Sequence, residues 1–401
     1  MDKKMKIAMV FDGLQIGGVE RVGADYARIL EELGHEITII NLNPALKDME
    51  SEFPEKSRIV HCKYPRKIAP EQYAQLVKWG GLFKCAYPVA CGILEIVNLF
   101  YKLLCRSKKE FREHYDLCIA FAGHFNDLTF VSKNFLNSKE KMCWLHGALY
   151  SYLLISDGYC NLYRKIKNLI VLVDDAQEEV LCYNKNLKLN INKLYNPTFI
   201  KDRKIDGTKV KELKSKYGKY LVMVSRFDFP HKDHYTVSKA LEIIRTEYGE
   251  DINLLFLGTG PEQNKVREYV KNLVGDTKDH IFFLGNQIDV QNYYSGAFAL
   301  VHASVAGEGL PTIMLEAMAY DLPMVVTDSK TGPREILGNN EYGLLCRVQD
   351  PKDMADNVLK LCRDKELYEH YQLVGKNRIK DFEPETIKLK LNEILKKIMN
   401  E

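Results

Sequence analysis

The chain has no Cys-x-x-Cys pair. Its ten cysteines are scattered singly, which argues against a disulfide framework or a structural zinc site and for a reducing compartment. Charge of one sign is also scarce. The net charge is +3 over 401 residues, too small to suggest a general nucleic-acid binder, so no nucleic-acid partner is expected. No low-complexity tract or short-period repeat occurs. No secretory apolar region with a cleavage site is visible in MDKKMKIAMVF, which runs straight into a strand-like segment, so a cytoplasmic location is expected. What remains is a globular composition, 46% hydrophobic and 28% charged, at a length for which two domains are the natural expectation.

Long hydrophobic runs are rare, and residues 85–105, CAYPVACGILEIVNLFYKLLC, are the one that raises a membrane question. Pro88 and Gly92 interrupt it and Glu95 and Lys102 charge it, so a span is not expected. Basic residues follow: Lys102, Arg106, Lys108, Lys109 and Arg112. An apolar helix bordered this way can make peripheral contact with an anionic membrane. A core helix with a solvated end accounts for the pattern equally well, and both readings stay open here.

The opening segment, KIAMVFDGLQIGGVERVGADYARILEELGHEITIIN, reads as strand, Gly-containing loop, amphipathic helix and strand. The strand is continuously apolar, as in a parallel sheet, and the helix places Val22, Tyr26, Ile29, Leu30 and Leu33 on one face before stopping at Gly34. Further strands are expected at Leu117–Ala122, Lys141–Leu145 and Asn168–Val173. Near residue 197 the texture turns polar, with a turn signal at Asn196-Pro197. A second strand set follows at Tyr220–Ser225, Asn253–Gly258, His280–Leu284, Ala297–His302 and Pro323–Thr327, with helical patterns between. The spacing predicts an α/β chain of two Rossmann-like domains, residues 1–197 and 198–383, with parallel sheets facing a cleft, followed by one amphipathic helix, 384–401; that this helix crosses back to the first domain is an expectation the spacing does not itself carry. In such sheets ligands bind beyond the carboxyl ends of the strands, so the loops after strands are where chemistry is sought.

Several of those loops carry usable groups. Gly17 and Gly18 precede the first helix, where a backbone can approach a ligand and free N–H groups favour an anion, although paired glycines often mark a plain turn. Their spacing is not Gly-x-Gly-x-x-Gly, so a nicotinamide-type fingerprint is not met. SRFDFPHKDH offers Arg226 and Lys232 to a diphosphate, or is a solvated loop. His231 and His234 lack a partner carboxylate pattern, and no metal site is expected. GTGPE, with Gly260, is a tight turn that could admit a flat base, or equally a plain turn. His146, in WLHG, ends a strand and is either a satisfied structural histidine or a functional one. In EGLPTIMLE a helix is expected to begin near Leu310 or Pro311. Glu308 then lies just ahead of it and Glu316 about one and a half turns inside. The N–H groups of about Leu310 to Ile313, with Gly309 and Thr312 among the neighbours, would suit a phosphate, and a carboxylate suits a pair of sugar hydroxyls. The alternative is a dipole partner and a solvent-facing glutamate.

Together these segments resemble family 4 of the glycosyltransferases, retaining enzymes of the GT-B fold. The resemblance runs over nearly the whole chain: GGVERV, WLHG, YNP at 195–197, Arg226 and Lys232, GTGPE, the Glu-x7-Glu pair, and GPREIL at 332–337. EGLPTIMLEAMA with GPREIL looks most like members that build bacterial surface polysaccharides. The resemblance implies that Arg226 and Lys232 hold the donor diphosphate, Glu316 the ribose hydroxyls and Glu308 the donor sugar. It implies that His146 lies near the sugar's 6-hydroxyl and the reacting carbon, that Gly17 and Gly18 close over the phosphates, and that Gly260 lines the base pocket. Gly309, Leu310, Pro311 and Thr312 complete the donor site. Two positions depart from the pattern: Lys232 follows Arg226 by six residues where many members have five, and Asp174 stands where serine is common.

No Asp-x-Asp occurs, so Arg226, Lys232 and helix N-termini are expected to replace a metal clamp on the diphosphate. The resemblance implies a retaining, metal-independent hexosyltransferase with no cofactor. It would use a nucleotide diphosphate sugar, a UDP-hexose or UDP-N-acetylhexosamine, and a polyprenyl-linked glycan acceptor at the inner face of the membrane. Two alternatives share the fold: a nucleotide-sugar 2-epimerase, against which Glu-x7-Glu and GPREIL speak, and a non-catalytic sugar-binding partner subunit, which would be expected to lose the charged residues present here.

Overall fold

A computed structural model describes residues 4–146, 158–174, 188–198, 204–330 and 332–400. Gly147 of WLHG and Thr331 ahead of GPREIL lie outside the described residues. The chain divides into two compact units, residues 1–197 with 384–401, and residues 198–383.

The first unit is built on seven strands: β1 (Lys6–Phe11), β2 (Glu36–Asn41), β3 (Arg58–His61), β4 (His114–Ala120), β5 (Asn137–Trp144), β6 (Asn168–Val171) and β7 (Asn190–Lys193). They pair in parallel in the order β3-β2-β1-β4-β5-β6-β7. Helices α1 (Gly18–Glu32), α2 (Gly81–Ser107), α3 (Phe125–Ser132) and α4 (Gly158–Ile166) accompany it. On α1, Val22, Tyr26, Ile29 and Leu30 are buried as their spacing requires, while Leu33 is the half-buried C-cap. The Tyr26 hydroxyl donates to the Tyr195 carbonyl at 2.5 Å, and its ring lies 4.2 Å from that of Trp144. The last helix, Pro384–Asn400, buries Ile387, Leu391, Leu395 and Ile398 in this unit. Its Lys388 pairs with Glu32 of α1 at 2.9 Å.

The second unit has six parallel strands: β8 (Tyr220–Val224), β9 (Asn253–Leu257), β10 (Ile281–Phe283), β11 (Ala299–His302), β12 (Met324–Thr327) and β13 (Leu344–Cys346). Their order is β10-β9-β8-β11-β12-β13. Four helices matter for the site or core: α5 (His234–Thr246), α6 (Thr312–Ala319), α7 (Gly332–Leu337) and α8 (Pro351–Arg363). Leu221, Met223, Leu241, Ile244, Val325, Met354 and Val358 share one core cluster, so both sheet strands and the α5 and α8 helices contribute to it. Strand β8 is followed by two crossovers in opposite directions, one to β9 and one, later, to β11. The sheet thus reverses order between β8 and β11, where doubly wound sheets bind ligands.

Strands β3, β7 and β13 are absent from the sequence-based expectation. β3 and β7 are edge strands of four residues with polar ends, RIVH and NINK, and β13 is three residues long. An edge strand is covered on fewer sides than a central one, so it lacks the continuous apolar run that marks buried parallel strands.

Close approach of the strand-end loops is paid in side-chain volume. Gly258 has a φ of +132°, and a Cβ there would lie 2.1 Å from the Ser225 carbonyl oxygen. At Gly260 a Cβ would meet the Phe227 backbone at 2.4 Å. Gly258→Ala is expected to destabilise the second unit by at least about 1–3 kcal/mol through backbone strain. Gly207→Ala, with no atom within 4 Å of the added methyl, should stay within about 0.5 kcal/mol of wild type. Thermal unfolding of the two variants side by side checks this; equal melting temperatures would refute the close-approach account.

Candidate active site

The loops after β8 and β11 flank the reversal point of the second sheet, and a buried ion pair joins them. Lys232, from the first loop, binds Glu308, from the second. The Glu308 side chain is 9% exposed and that of Lys232 is 24% exposed. His302, the last residue of β11, is wholly buried and turns Nε2 to the same carboxylate, at 3.1 Å from Oε2 and 3.3 Å from Oε1. The Lys232 ammonium lies 3.4 Å from that ring nitrogen.

Burial and the neighbouring Lys232 charge push the His302 pKa down, against the pull of Glu308. Burial alone would raise the Glu308 carboxyl, but the His302 ring and the Lys232 ammonium outweigh it and hold its pKa at about 2. At neutral pH the carboxylate is therefore ionised and the imidazole neutral. An Nε2–H facing a carboxylate donates to it, which leaves Nδ1 as the unprotonated nitrogen; Nδ1 is buried with no hydrogen-bond partner among the described residues.

The β8 loop is braced from within. His234, the first residue of α5, stacks on Phe227 at 3.8 Å between centroids with 12° between planes. It accepts from the Ser225 hydroxyl at 3.1 Å, and its Nδ1 lies 3.4 Å from the Lys232 carbonyl. Burial drives its pKa down to about 3, so it is a neutral anchor of the loop. Asp233 caps α5, accepting from the Thr236 N–H at 3.1 Å, and its own N–H donates to the Ala303 carbonyl at 2.8 Å. The Pro230 carbonyl accepts the N–H groups of Val305 and Ala306, at 3.0 and 3.1 Å. The longer spacing from Arg226 to Lys232 is thus absorbed in a loop stitched to the β11 loop on both sides. Arg226 itself is exposed and makes no ion pair among the described residues.

Helix α6 begins at Thr312, later than the sequence suggests, with Pro311 as N-cap at φ −64°, ψ 109°. The reason is the start of α7. Gly332 donates its N–H to the Glu308 carbonyl at 3.1 Å, and a Cβ on Gly332 would lie 1.5 Å from the Gly309 oxygen. That contact holds Gly309 outside the helix, so among the described residues the unpaired first-turn donors are those of Thr312 and Ile313, while Met314 N–H already donates to Pro311 at 3.1 Å. Leu310 and Pro311 are buried, and Gly309 and Thr312 are half-buried. One turn further on, Glu316 is half-buried and accepts from the Tyr294 hydroxyl at 3.3 Å. Gly260 packs its α-carbon against Phe227, so its smallness serves the approach of the two loops.

In the first unit, the loops after β1, β4 and β5 hold a second group of polar side chains. His146 sends Nε2 to the Phe121 carbonyl at 2.7 Å, which requires Nε2–H and leaves Nδ1 as an acceptor. Burial lowers its pKa to about 4, so the ring is neutral at physiological pH. Asn126 donates to Asp12 at 2.7 Å. Asp127 is fully buried and takes the N–H groups of Gly123 and His124 at 2.8 and 2.7 Å, a capping box that starts α3. Gly17 is the N-cap of α1 and Gly18 its first residue; nothing lies within 4 Å of the Cβ direction at Gly18. Asp174 pairs with Lys193 at 2.6 Å.

Sequence reasoning missed His302, Asp12 and Asn126. For His302 a signal existed: a lone histidine closes the apolar run ALVHA just before a loop that carries a charged residue.

The pH dependence of stability follows from these environments. Glu308 has a folded pKa below its ordinary 4.5, so its contribution is complete above pH 4.5 and lost as pH falls toward 2. His302 and His234 are held neutral below their ordinary 6.5, so they too cost stability as pH falls below 6.5. Glu308→Gln should lower stability at neutral pH by about 1–3 kcal/mol, because it strands the Lys232 charge, and should remove the step below pH 4.5. Calorimetry from pH 7 to pH 3 reads both effects. Identical acid profiles for variant and wild type would discard the ion-pair assignment.

A family model described as "Glycosyl transferases group 1" matches residues 205–378. N-acetylgalactosamine-N,N'-diacetylbacillosaminyl-diphospho-undecaprenol 4-alpha-N-acetylgalactosaminyltransferase of Campylobacter jejuni is 24% identical over 390 residues, 94% of this chain and 96% of the relative. N-acetyl-alpha-D-glucosaminyl L-malate synthase of Bacillus anthracis is 26% identical, covering 88% of this chain and 86% of the relative. Among solved structures, Anabaena HepE with UDP and glucose superposes with a TM-score of 0.70 at 16% identity, over 98% of this chain and 100% of the other. The lipopolysaccharide outer core galactosyltransferase WaaB has a TM-score of 0.66 at 18% identity, over 98% and 99%. With its two parallel sheets and the charged loops at the reversal of the second, the chain is a glycosyltransferase of GT-B-like fold whose residues 205–378 carry the match to the group 1 model.

Proposed function

We propose that the chain transfers a hexose or N-acetylhexosamine, with retention and without a metal, from a UDP-sugar to a hydroxyl of a polyprenyl-linked glycan in surface-polysaccharide synthesis. The observation that carries this reading is the Lys232–Glu308–His302 cluster at the reversal point of the second sheet, with Arg226 exposed on the same loop. The cationic pair supplies the charge a departing diphosphate needs, and the first-turn N–H groups of Thr312 and Ile313 add two donors. Glu316, oriented by Tyr294, suits the two ribose hydroxyls. Glu308 is kept anionic by its neighbours and accepts hydrogen bonds from sugar hydroxyls without competing for a proton.

In the step itself the bond from the anomeric carbon to the diphosphate oxygen breaks, and the acceptor oxygen bonds to that carbon on the same face. The departing diphosphate takes the acceptor's proton, so no side chain is assigned as general base. His146, neutral and with Nδ1 free to accept, suits the contact to a sugar hydroxyl that the resemblance implies. The roles of Gly17 and Gly18 toward the phosphates, and of Gly260 toward the base, rest on that resemblance. UDP accompanies a structure of the same fold, and the name of the Campylobacter relative puts its acceptor on diphospho-undecaprenol; both support the choice of donor and acceptor.

Hydrolysis and transfer assays against UDP-glucose, UDP-galactose, their N-acetyl forms and GDP-mannose test the donor. Lys232→Ala and Arg226→Ala should each lower kcat about 10²–10³-fold, the usual loss for one preorganised charge, and EDTA should leave the rate unchanged. A folded Lys232→Ala enzyme with full transfer activity would sink the mechanism. Turnover of the donor to its epimer without acceptor would replace transfer by epimerisation, and UDP binding without any turnover would point to a non-catalytic subunit.

A further inference from the structure

Helix α2 reverses the amphipathicity that water imposes on a surface helix. Of its 27 residues only Asn98 and Cys105 are buried. Asn98, Glu95, Lys102 and Arg106 turn to the body of the first unit. Asn98 accepts from the Tyr64 hydroxyl at 2.5 Å and donates to the carbonyls of Ile68 and Leu94 at 2.7 and 2.8 Å. Glu95 pairs with Lys133, Lys102 donates to the Lys133 carbonyl at 2.9 Å, and Arg106 donates to the Asn134 carbonyl at 3.0 Å. The outward stripe is apolar: Leu82, Val89, Ile93, Ile96, Phe100 and Leu103 recur at helical spacing and are 57 to 87% exposed. A stripe this long has no aqueous rationale, because a solvated helix turns its charges out and its aliphatic side chains in.

The surroundings say what covers it. From residue 78 to residue 112 there are seven basic residues (Lys78, Lys84, Lys102, Arg106, Lys108, Lys109, Arg112) and two acidic ones, an excess greater than the whole chain's +3. Lys84 stands exposed near one end of the helix, and Lys108, Lys109 and Arg112 are exposed just past the other. Trp79, 70% exposed, stands just before the helix and meets Phe83 edge-on at 5.5 Å. An apolar stripe with cations at both ends and an indole at its margin matches the layering of an anionic lipid surface, with acyl chains within and phosphates at the level of the cations.

We propose that α2 lies flat on an anionic lipid leaflet, its outer stripe in the acyl boundary and its flanking lysines and arginines among the lipid phosphates. By length and composition the helix could cross a bilayer. Crossing would strip Asn98, Glu95, Lys102 and Arg106 of the partners that tie the helix sideways to the unit, and hydrocarbon offers none in exchange. This proposal does not rest on the transfer reading, and its test uses neither donor nor acceptor.

The full chain is mixed at low salt with vesicles of phosphatidylcholine alone, or of phosphatidylcholine with phosphatidylglycerol. It is expected to sediment with the anionic vesicles, to be released by salt, and to shift its tryptophan emission to shorter wavelength. The chain has two tryptophans, and Trp144 is fully buried, so the shift reports Trp79. A variant with Ile93→Ser, Ile96→Ser and Phe100→Ser should lose roughly tenfold or more of the vesicle-bound fraction while keeping the circular dichroism and melting of wild type, since these side chains already face solvent. Failure of the wild-type chain to bind anionic vesicles or shift its emission would overturn the proposal. Undiminished binding by the triple variant would overturn it equally. A dimer in solution that the triple variant dissolves would assign the stripe to a second copy, and resistance of the cell-derived protein to alkaline carbonate would assign it to a span.

Discussion

The ammonium of Lys232 against the carboxylate of Glu308 joins loops 76 residues apart in sequence, and the second unit's functional face depends on it. A carboxylate this buried needs a compensating charge, and a lysine reaching across the sheet reversal supplies it. His302 completes the arrangement as a neutral donor beneath both. The bracing of the neighbouring loops follows. His234 and Asp233 hold the backbone beside Lys232, and Gly332 holds that of Glu308 through its carbonyl.

The first unit solves a similar problem by other means. His146 is kept neutral by burial and oriented by a backbone carbonyl rather than by an opposing charge. Its floor is aromatic, with the Phe121 ring 5.0 Å from that of Trp144, and Trp144 against Tyr26. Such a floor sets the ring's position and leaves Nδ1 as its available polar atom.

Helix α2 is the exception to the rule by which both units otherwise fold. On α1 and α8 most of the apolar side chains are buried and the charged ones are not. On α2 the charged side chains tie the helix down and the apolar ones are left outside. Water does not stabilise such an arrangement, so its rationale lies in a second solvent.

The alternation of apolar strands with amphipathic helices determined, by itself, the two parallel sheets and their central strands, because residues buried on both faces have to be apolar throughout. The loops that carry Arg226, Lys232 and Glu308, and the helix start ahead of Glu316, were equally legible, since in parallel sheets they follow the strands. The edge strands β3, β7 and β13 were not, because partial cover lets polar residues enter them. The late start of α6 was set by Gly332, 20 residues further along the chain, through a backbone contact that no local pattern encodes. Two features belonged to tertiary structure alone. The packing of β11 beside β8 brought a buried histidine against both the lysine and the glutamate. The docking of α2 through Asn98 settled which of its faces met the protein and which was left for something else. Spacing along a helix defines its faces, but only contacts with residues distant in sequence choose between them.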